Sequence, residues 1–326
     1  GLNDVKSPPL PVQCGVPQGS ILGPLLFLLY INDLHYSSNL LPIIFADDTN
    51  VFYSGSNFTE CVHRINTEMT SLLKWIHSNK LSLNVEKTQY IIFSKRRLQT
   101  DQLTVSINGE IIKRVDSFRF LGIIIDDRLS WRQHIAHIRR KVSKSIGILR
   151  SARSLLNKNT LVTLYYAFVY PYFNYCIDVW GHCNEQDFQS LFKTQKRIIR
   201  YINFSKRNAH TDQLFKSLDI LPLKRLYIFS VLIFMFKFHH RSLPSVVDEL
   251  FQTNASIHSI NTRQHHLLHA PRLYSNSSMK SIRFRGVFIW NQINNEININ
   301  VSTNCFKSTL KNRLMTNLSI TLTPIR

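Results

Sequence analysis

Between Pro42 and Tyr53 two adjacent carboxylates interrupt a stretch built for β-structure. Ile43-Ile44-Phe45 runs through Ala46 into Asp47-Asp48 and on to Val51-Phe52-Tyr53. β-Branched and aromatic residues on both sides favour strands. Two neighbouring aspartates repel each other and are costly to hold together unless they bind cations. The pattern predicts two short strands around a turn that presents the aspartates. Strand alternation sends adjacent side chains apart, so the pair need not bind the same ion. Magnesium prefers carboxylate oxygens, and phosphoryl transfer uses paired ions about 3.5–4 Å apart to clamp attacking and leaving oxygens. Ala46 is small enough for a nucleic-acid terminus to come close. Taken alone, the same four residues also describe an ordinary solvated hairpin tip, so the surrounding sequence has to decide.

That surrounding sequence is mixed α/β up to about residue 130. A tight turn at Gly15–Ser20 leads into an apolar, helix-length segment, Ile21–Leu34. In Thr59–Asn79 the residues Val62, Ile65, Met69, Leu72, Leu73 and Ile76 keep helical spacing. Leu81–Leu83, Tyr90–Phe93 and Phe118–Ile125 read as strands, and Asn108-Gly109 is a favoured two-residue hairpin turn. From Trp131 the pattern becomes helical. Ile135, Ile138, Val142, Ile146 and Leu149 form one stripe, followed by predicted helices at 158–170, 186–201 and 223–239. After Pro244 the chain is rich in Asn, Ser and His with weak periodicity.

Charge follows the same division. Of 40 Lys and Arg and 20 Asp and Glu, 12 and 12 precede Ser130, while 28 and 8 follow it. The first part is neutral and the whole net charge of +20 sits in the second. A polyanion is the natural partner of such a surface, because clustered Lys and Arg gain affinity by releasing phosphate counterions. The apolar runs Leu25–Ile31 and Tyr227–Phe236 fall short of the roughly 20 residues that span a bilayer. No leader is visible after Gly1, and Asn-x-Ser/Thr sequons such as Asn57-Phe58-Thr59 are incidental in so Asn-rich a chain, so an intracellular protein is expected, not a secreted one. Cys14, Cys61, Cys176, Cys183 and Cys305 include no pair with zinc-site spacing, and Cys176, His182 and Cys183 read as buried groups before they read as ligands. The trio His265, His266 and His269 lacks a fourth ligand at sensible spacing.

Four blocks in order decide the reading of the aspartate pair. Gly15-Val16-Pro17-Gln18-Gly19-Ser20-Ile21-Leu22-Gly23-Pro24-Leu25-Leu26-Phe27 is followed by Tyr30-Ile31-Asn32-Asp33-Leu34. Phe45-Ala46-Asp47-Asp48 comes next, then Leu83-Asn84-Val85-Glu86-Lys87-Thr88, then Phe120-Leu121-Gly122. In wording and spacing this resembles the reverse transcriptases of jockey-like, LINE-type non-LTR retrotransposons, over residues 1 to about 245.

The resemblance implies an α+β fold: part of a right-hand polymerase palm with its catalytic β-hairpin over 1–130, a basic helical thumb over 131–245, and a C-terminal region, 246–326, of unknown fold. It implies that Asp47 and Asp48 bind two magnesium ions, with manganese as a substitute, and that Lys87 neutralises departing pyrophosphate. Gly15, Pro17, Gln18, Gly19, Ser20, Phe45 and Ala46 would touch template and incoming nucleotide, and Phe120, Leu121 and Gly122 would form the primer grip. Arg132, Arg139, Arg140, Lys144 and Arg150 would hold the duplex through its phosphates. Implied partners are an RNA template, a DNA primer and deoxynucleoside triphosphates, without a membrane, in a ribonucleoprotein of nucleus and cytoplasm.

The family also needs a metal-binding aspartate tens of residues upstream of Gly15. Only Asp4 stands there, in a polar loop, and the fingers region is absent. The expectation is a polymerase segment that does not polymerise alone. The rival is a catalytically dead remnant or co-opted fragment that only binds nucleic acid.

Overall fold

In a computed structural model the described residues are 15–17, 19–94, 104–257, 264–271, 279–293, 296–316 and 320. The chain divides into two compact units, residues 1–118 and 119–326, with helices and strands mixed in the first and helices dominant in the second. The architecture is α+β.

In the first unit, α1 (Gly23–Ile31) has a proline in its first turn, where a missing N–H is tolerated, and continues as a 3₁₀ turn over Asn32–Tyr36. A two-stranded antiparallel hairpin follows, β1 (Leu41–Phe45) and β2 (Asp48–Phe52). Helix α2 (Phe58–Ser78) starts where the Asn57 side chain accepts hydrogen bonds from the N–H groups of Thr59 and Glu60, at 3.0 and 3.5 Å. Its stripe of Val62, Met69, Leu72 and Leu73 is buried with Ile31, Leu34, Leu40, Val105, Ile107 and Ile112.

Two side chains of α2 pin the rest of the unit to it. Glu68 accepts from the backbone and side-chain amides of Asn39, at 2.8 and 2.9 Å, just before β1. Those bonds hold its carboxyl below the ordinary glutamate range. Asn66 donates to the Thr104 carbonyl and accepts from the Ser106 N–H, at 3.1 and 3.0 Å. That anchors β4 (Ser106–Ile107), which turns through Asn108-Gly109, both at positive φ, into β5 (Glu110–Ile111). β3 (Gln89–Tyr90) pairs in parallel with β6 (Lys113–Arg114).

The second unit takes over within the hairpin of β7 (Ser117–Phe120) and β8 (Ile123–Asp126). Asp126 is buried and accepts from the N–H groups of Arg128, Ser130 and Trp131, at 3.2, 2.9 and 2.8 Å. This folds the connection into the start of α3 (Arg132–Ala152), with Leu129 and Trp131 both at positive φ. There follow α4 (Lys158–Phe168), α5 (Tyr170–Asn174), α6 (Ile177–Trp180), α7 (Glu185–Ile202), α8 (Asp212–Ser217) and α9 (Leu223–His239).

Helix α9 is apolar nearly all round, which suits an element with neighbours on most sides. It packs against α5, α6 and α7, and also against two C-terminal helices. These come after a single turn, α10 (Asn254–Ile257), and are α11 (Ile282–Ile293) and α12 (Thr303–Thr316). Gly286 lets α11 lie close to α9, since a Cβ there would meet the Met235 sulfur at 2.7 Å. Phe306 of α12 stacks on Phe236 with ring centroids 4.1 Å apart.

Four sequence expectations shift. The helix expected over 158–170 ends at Phe168, and a separate helix begins at Tyr170 with Pro171 in its first turn. The apolar run Phe118–Ile125 is not one strand but a hairpin, broken where Leu121 and Gly122 both take positive φ. Leu81–Leu83 is irregular, and only Gln89–Tyr90 of the segment around Tyr90–Phe93 pairs. The apolar segment Ile21–Leu34 becomes α1 and a 3₁₀ turn, yet of α1 only Gly23 and Ile31 are buried. No helix among the described residues is long and apolar enough to cross a membrane.

Candidate functional site

The strand register fixes how the aspartates are presented. Leu41 pairs with Phe52, Ile43 with Asn50 and Phe45 with Asp48, leaving Ala46 and Asp47 as a two-residue loop. The turn is therefore one residue earlier than the sequence suggests: Asp47 sits at the tip and Asp48 is the first residue of β2. Ala46 adopts φ +51, a conformation that costs a residue with a Cβ about 1–2 kcal/mol. A tight turn with positive φ at its first central position normally takes glycine there. The strain is local and lies directly beside Asp47.

Alternation then sorts the hairpin's side chains. Pro42, Ile44 and Val51 are half-buried, and Ile44 and Val51 pack on the core of the unit. Leu41, Ile43, Phe45, Asp48 and Phe52 occupy the other face and are exposed, Phe45 at 59 %. Asp48 thus borders an apolar surface while Asp47 projects from the tip. Among the described residues neither carboxylate enters an ion pair, and no group of three or more His, Cys, Asp or Glu is placed to hold a metal ion.

Elsewhere in the first unit, Gly15 and Gly19 have φ +75 and +90, and a Cβ on either would meet nothing within 4 Å. The Ser20 N–H donates to the Pro17 carbonyl at 3.0 Å, closing a tight turn before α1. Gln18 lies outside the described residues. Lys87 ends a 3₁₀ turn, Val85–Lys87, whose start is capped by Asn84 Oδ1 accepting from the Lys87 N–H at 3.1 Å. Its side chain is exposed.

In the second unit the loop Leu121-Gly122 is held from outside. The Tyr175 hydroxyl donates to the Leu121 carbonyl at 2.6 Å, and a Cβ on Gly122 would meet the Tyr175 ring at 3.5 Å. Beside this loop lies a cavity of about 450 Å³ whose walls include Arg119, His134, His137, Lys141 and Tyr172. Burial pushes His134 down to about 4, and its Nε2 has no hydrogen-bond partner. Burial, then Arg119 and Lys141, hold His137 below its ordinary range.

The five basic residues singled out on α3 are not gathered in one place. Arg139, Arg140 and Lys144 line a shallow groove of about 520 Å³ with Ala136 and Ser143. Arg132 stands apart, 3.8 Å from Asp187 at the start of α7. Arg150 lies near the other end, beside Tyr201. Sequence reading missed Arg119, His137 and Lys141. The spacing of His137 and Lys141 at i and i+4 was the available signal, but their meeting with Arg119 depends on the β7–β8 turn.

Cys176, His182 and Cys183 are half-buried. The Trp131 indole donates to His182 Nε2 at 3.1 Å, and burial pushes the Cys183 thiol up to about 12.

Residues 3–125 match the family profile of the reverse transcriptase (RNA-dependent DNA polymerase). That span holds the Gly15–Ser20 turn, the Asp47-Asp48 hairpin, Lys87 and the Phe120–Gly122 loop in order. Residues 3–125 are thus similar to reverse transcriptases, and the relatives of the longer chain are those of non-LTR mobile elements. Likeness to mobile-element reverse transcriptases extends into the helical unit. The chain is 24 % identical over 292 residues, 85 % of its length, to the probable RNA-directed DNA polymerase from transposon BS of Drosophila melanogaster, covering 29 % of that protein. It is 24 % identical over 230 residues to the RNA-directed DNA polymerase from mobile element jockey of the same organism, which is 67 % of this chain and 25 % of the relative. With the probable RNA-directed DNA polymerase from transposon X-element of that organism it shares 28 % identity over 201 residues, 59 % and 22 % of the two chains. The matches therefore span less than a third of each of these reverse transcriptases. No solved structure matches the chain.

Proposed function

We propose that this chain is the part of a non-LTR retrotransposon's RNA-directed DNA polymerase that carries the catalytic hairpin and grips the primer–template. The first unit is read as part of a right-hand palm, and the helices from α3 onward as the thumb. The observation that carries the reading is the hairpin itself. It holds two carboxylates at and beside its tip, on a strained Ala46, at the place in the chain where the family profile matches.

In this reaction a primer 3′-hydroxyl attacks the α-phosphate of a deoxynucleoside triphosphate aligned on an RNA template, and pyrophosphate leaves. The donor chemistry of Asp47 and Asp48 suits hard divalent cations such as magnesium, for which exposed carboxylate oxygens are the preferred protein ligands. Two such ions, when bound, lower the pKa of the attacking hydroxyl and neutralise the leaving oxygen. The protein's own groups then position and compensate. Asp47 projects from the tip toward the reacting end. Gly15 and Gly19, with open space where a Cβ would stand, leave the backbone accessible to template and nucleotide. Gln18 is assigned to the same contact from the sequence. Lys87 supplies a positive charge for pyrophosphate. Phe120, Leu121 and Gly122 support the primer strand, with Tyr175 fixing the Leu121 carbonyl. Arg139, Arg140 and Lys144 take duplex phosphates.

Asp47→Ala, introduced into the polymerase that contains this segment, tests the assignment by primer extension on an RNA template with magnesium. Incorporation should fall on the order of a thousand-fold, the scale of several kcal/mol of lost charge stabilisation. Template binding should stay within about two-fold, because the variant removes a metal ligand and no phosphate contact. Normal extension by the variant would remove the hairpin from the active site.

A further inference from the structure

At the far end of α3 two arginine–aromatic pairs stand together. Helices α3 and α7 run parallel: Arg132 meets Asp187 near their starts, and Arg153 meets Phe204 just past their ends. The Arg153 guanidinium lies 5.2 Å from the centroid of the Phe204 ring. The Arg197 guanidinium lies 5.7 Å from that of Tyr201, and its Nε donates to the Tyr201 hydroxyl at 3.2 Å. That hydrogen bond, with the charges of Arg197, Arg150 and Arg207, holds the Tyr201 hydroxyl below its ordinary range. The charges named here beside Tyr201 are all arginines. Phe204 is 47 % exposed and sits at φ +55.

Arginines near helix C-termini also offset the negative end of the helix dipole. That accounts for Arg150 and Arg153, and the Ser205 N–H bond to the Arg200 carbonyl makes Phe204 the left-handed residue that ends α7, but neither accounts for the exposure of its ring. The setting along α3 adds a second consideration. From Arg139 in the phosphate groove the exposed surface passes Gly147 and reaches Arg150 and Arg153, about 20 Å further along the helix. The groove end offers cations without rings; the far end offers both. Cations beside the exposed Phe204 ring and the part-exposed Tyr201 ring, which also packs on the core, suit a strand whose base faces are free, since a duplex hides those faces and a single strand presents them.

We propose that the joined ends of α3 and α7 are a landing site for unpaired nucleotides, separate from the groove that takes duplex phosphates. Bases stack on Phe204 and Tyr201, and the intervening phosphates are met by Arg150, Arg153 and Arg207. A strand leaving the duplex would run from the groove onto this end.

The test uses the whole chain and fluorescence anisotropy with three probes of equal length, about 12 nucleotides: oligouridine, an abasic strand, and an RNA–DNA hybrid duplex. The double variant Tyr201→Ala, Phe204→Ala should weaken oligouridine binding about ten-fold, the scale of lost base stacking, and leave the other two probes within about two-fold. Tyr201→Phe with Phe204→Tyr keeps both rings and should bind oligouridine like the parent chain, which separates stacking from damage to the fold. Equal losses on all three probes, an unchanged affinity for oligouridine, or a parent chain that binds the abasic strand as tightly as oligouridine would each overturn the proposal. So would ring-dependent binding to anionic phospholipid vesicles with no ring dependence on oligouridine, which would make the surface a membrane contact. The proposed duplex groove is checked separately by Arg139→Ala with Lys144→Ala on the hybrid probe, so either reading can fail alone.

Discussion

In residues 119–326 the side chains of Tyr165, Phe173, Trp180 and Val231 have no exposed surface. In residues 1–118 the best-buried apolar side chain among the described residues is Ile107 at 2 %, while Leu41, Leu29 and Ile21 stand 64–95 % exposed. Charge is divided as unevenly. The first unit has 10 basic and 10 acidic residues, the second 30 and 10. The second unit therefore supplies its own core and carries the net positive charge, a field that would favour a polyanion. The first presents apolar surface around a pair of carboxylates. Low-dielectric surroundings strengthen whatever charge interactions Asp47 and Asp48 make once water is excluded. On the proposed function, the second unit would grip nucleic acid and the first would be covered during chemistry.

Acid should separate the two regions most. His134 and His182, both in the second unit, are pushed by burial down to about 4, below the unfolded value of 6.5. Their neutral forms favour the fold, so the stability they protect is whole above pH 6.5 and is lost as pH falls toward 4. By pH 5 the loss is about 2 kcal/mol for each ring. Glu68, in the first unit, has a lowered pKa, so its contribution is present above the ordinary value of 4.5 and is lost only below it. Thermal unfolding followed at pH 7.5 and pH 5.0 should show the helical transition of the second unit falling markedly. A helical transition indifferent to pH over that range would mean that the two imidazoles are open to solvent.

Next in size is a single buried amide. Gln195 has no exposed surface, and its Nε2 donates to the Tyr165 hydroxyl and the Leu221 carbonyl at 3.1 and 3.0 Å. Its Oε1 accepts from the Leu223 N–H at 2.8 Å, joining α7 to the entry of α9. Gln195→Ala leaves those groups without partners at about 1–3 kcal/mol each, and a total near 3 kcal/mol is expected after relaxation. Urea titration read by helical circular dichroism should show the lowered midpoint. A change below about 0.5 kcal/mol would place water in the gap.

The electrostatic half of the comparison is sharpened by Arg139→Ala with Lys144→Ala. Hybrid-duplex affinity should drop about ten-fold near physiological salt, and the slope of log affinity against log salt should flatten by about two. A weaker affinity with an unchanged slope would show that the two side chains do not touch phosphates.

The sequence made the second unit legible as helices and the first as motifs, for different reasons. A long amphipathic stripe is a local property, so α2 and α7 emerge within a residue or two of their bounds, and α9 emerges as a long, almost continuously apolar run. The hairpin at Asn108-Gly109 is equally local, because those residues accept positive φ readily. The turns at Ala46-Asp47 and Leu121-Gly122 were displaced or missed because Ala46 and Leu121 adopt positive φ against their own preference. Only surrounding contacts can impose that, such as the Tyr175 bond to the Leu121 carbonyl. The C-terminal helices were hidden for a related reason. α11 buries Gly286, Val287, Ile289, Trp290 and Ile293 against α9, a broad apolar surface closed by a glycine rather than a clean stripe. Of the candidate site, the grouping of the basic residues was not readable. Arg132, Arg139 and Arg150 share one side of α3 in sequence, yet the fold gives them an ion pair, a groove and an aromatic cluster respectively.

The smallest expected effect bears most directly on why the first unit is built as it is. Ala46→Gly removes a strained methyl at φ +51 and should stabilise the hairpin, offset by glycine's greater unfolded-state entropy, for a net gain of about 1 kcal/mol or less. If Ala46 were only a loop residue, incorporation by the polymerase containing this segment would be unchanged or improved. If Asp47 is the catalytic carboxylate proposed above, strain retained beside it predicts the reverse: a slightly more stable protein with slower incorporation, because a glycine lets the tip that aims Asp47 sample other conformations. Measuring melting temperature and single-nucleotide incorporation on the same variant distinguishes the outcomes. A destabilised hairpin would contradict the strain at Ala46, and a stabilised one with full activity would leave the methyl without a role in catalysis.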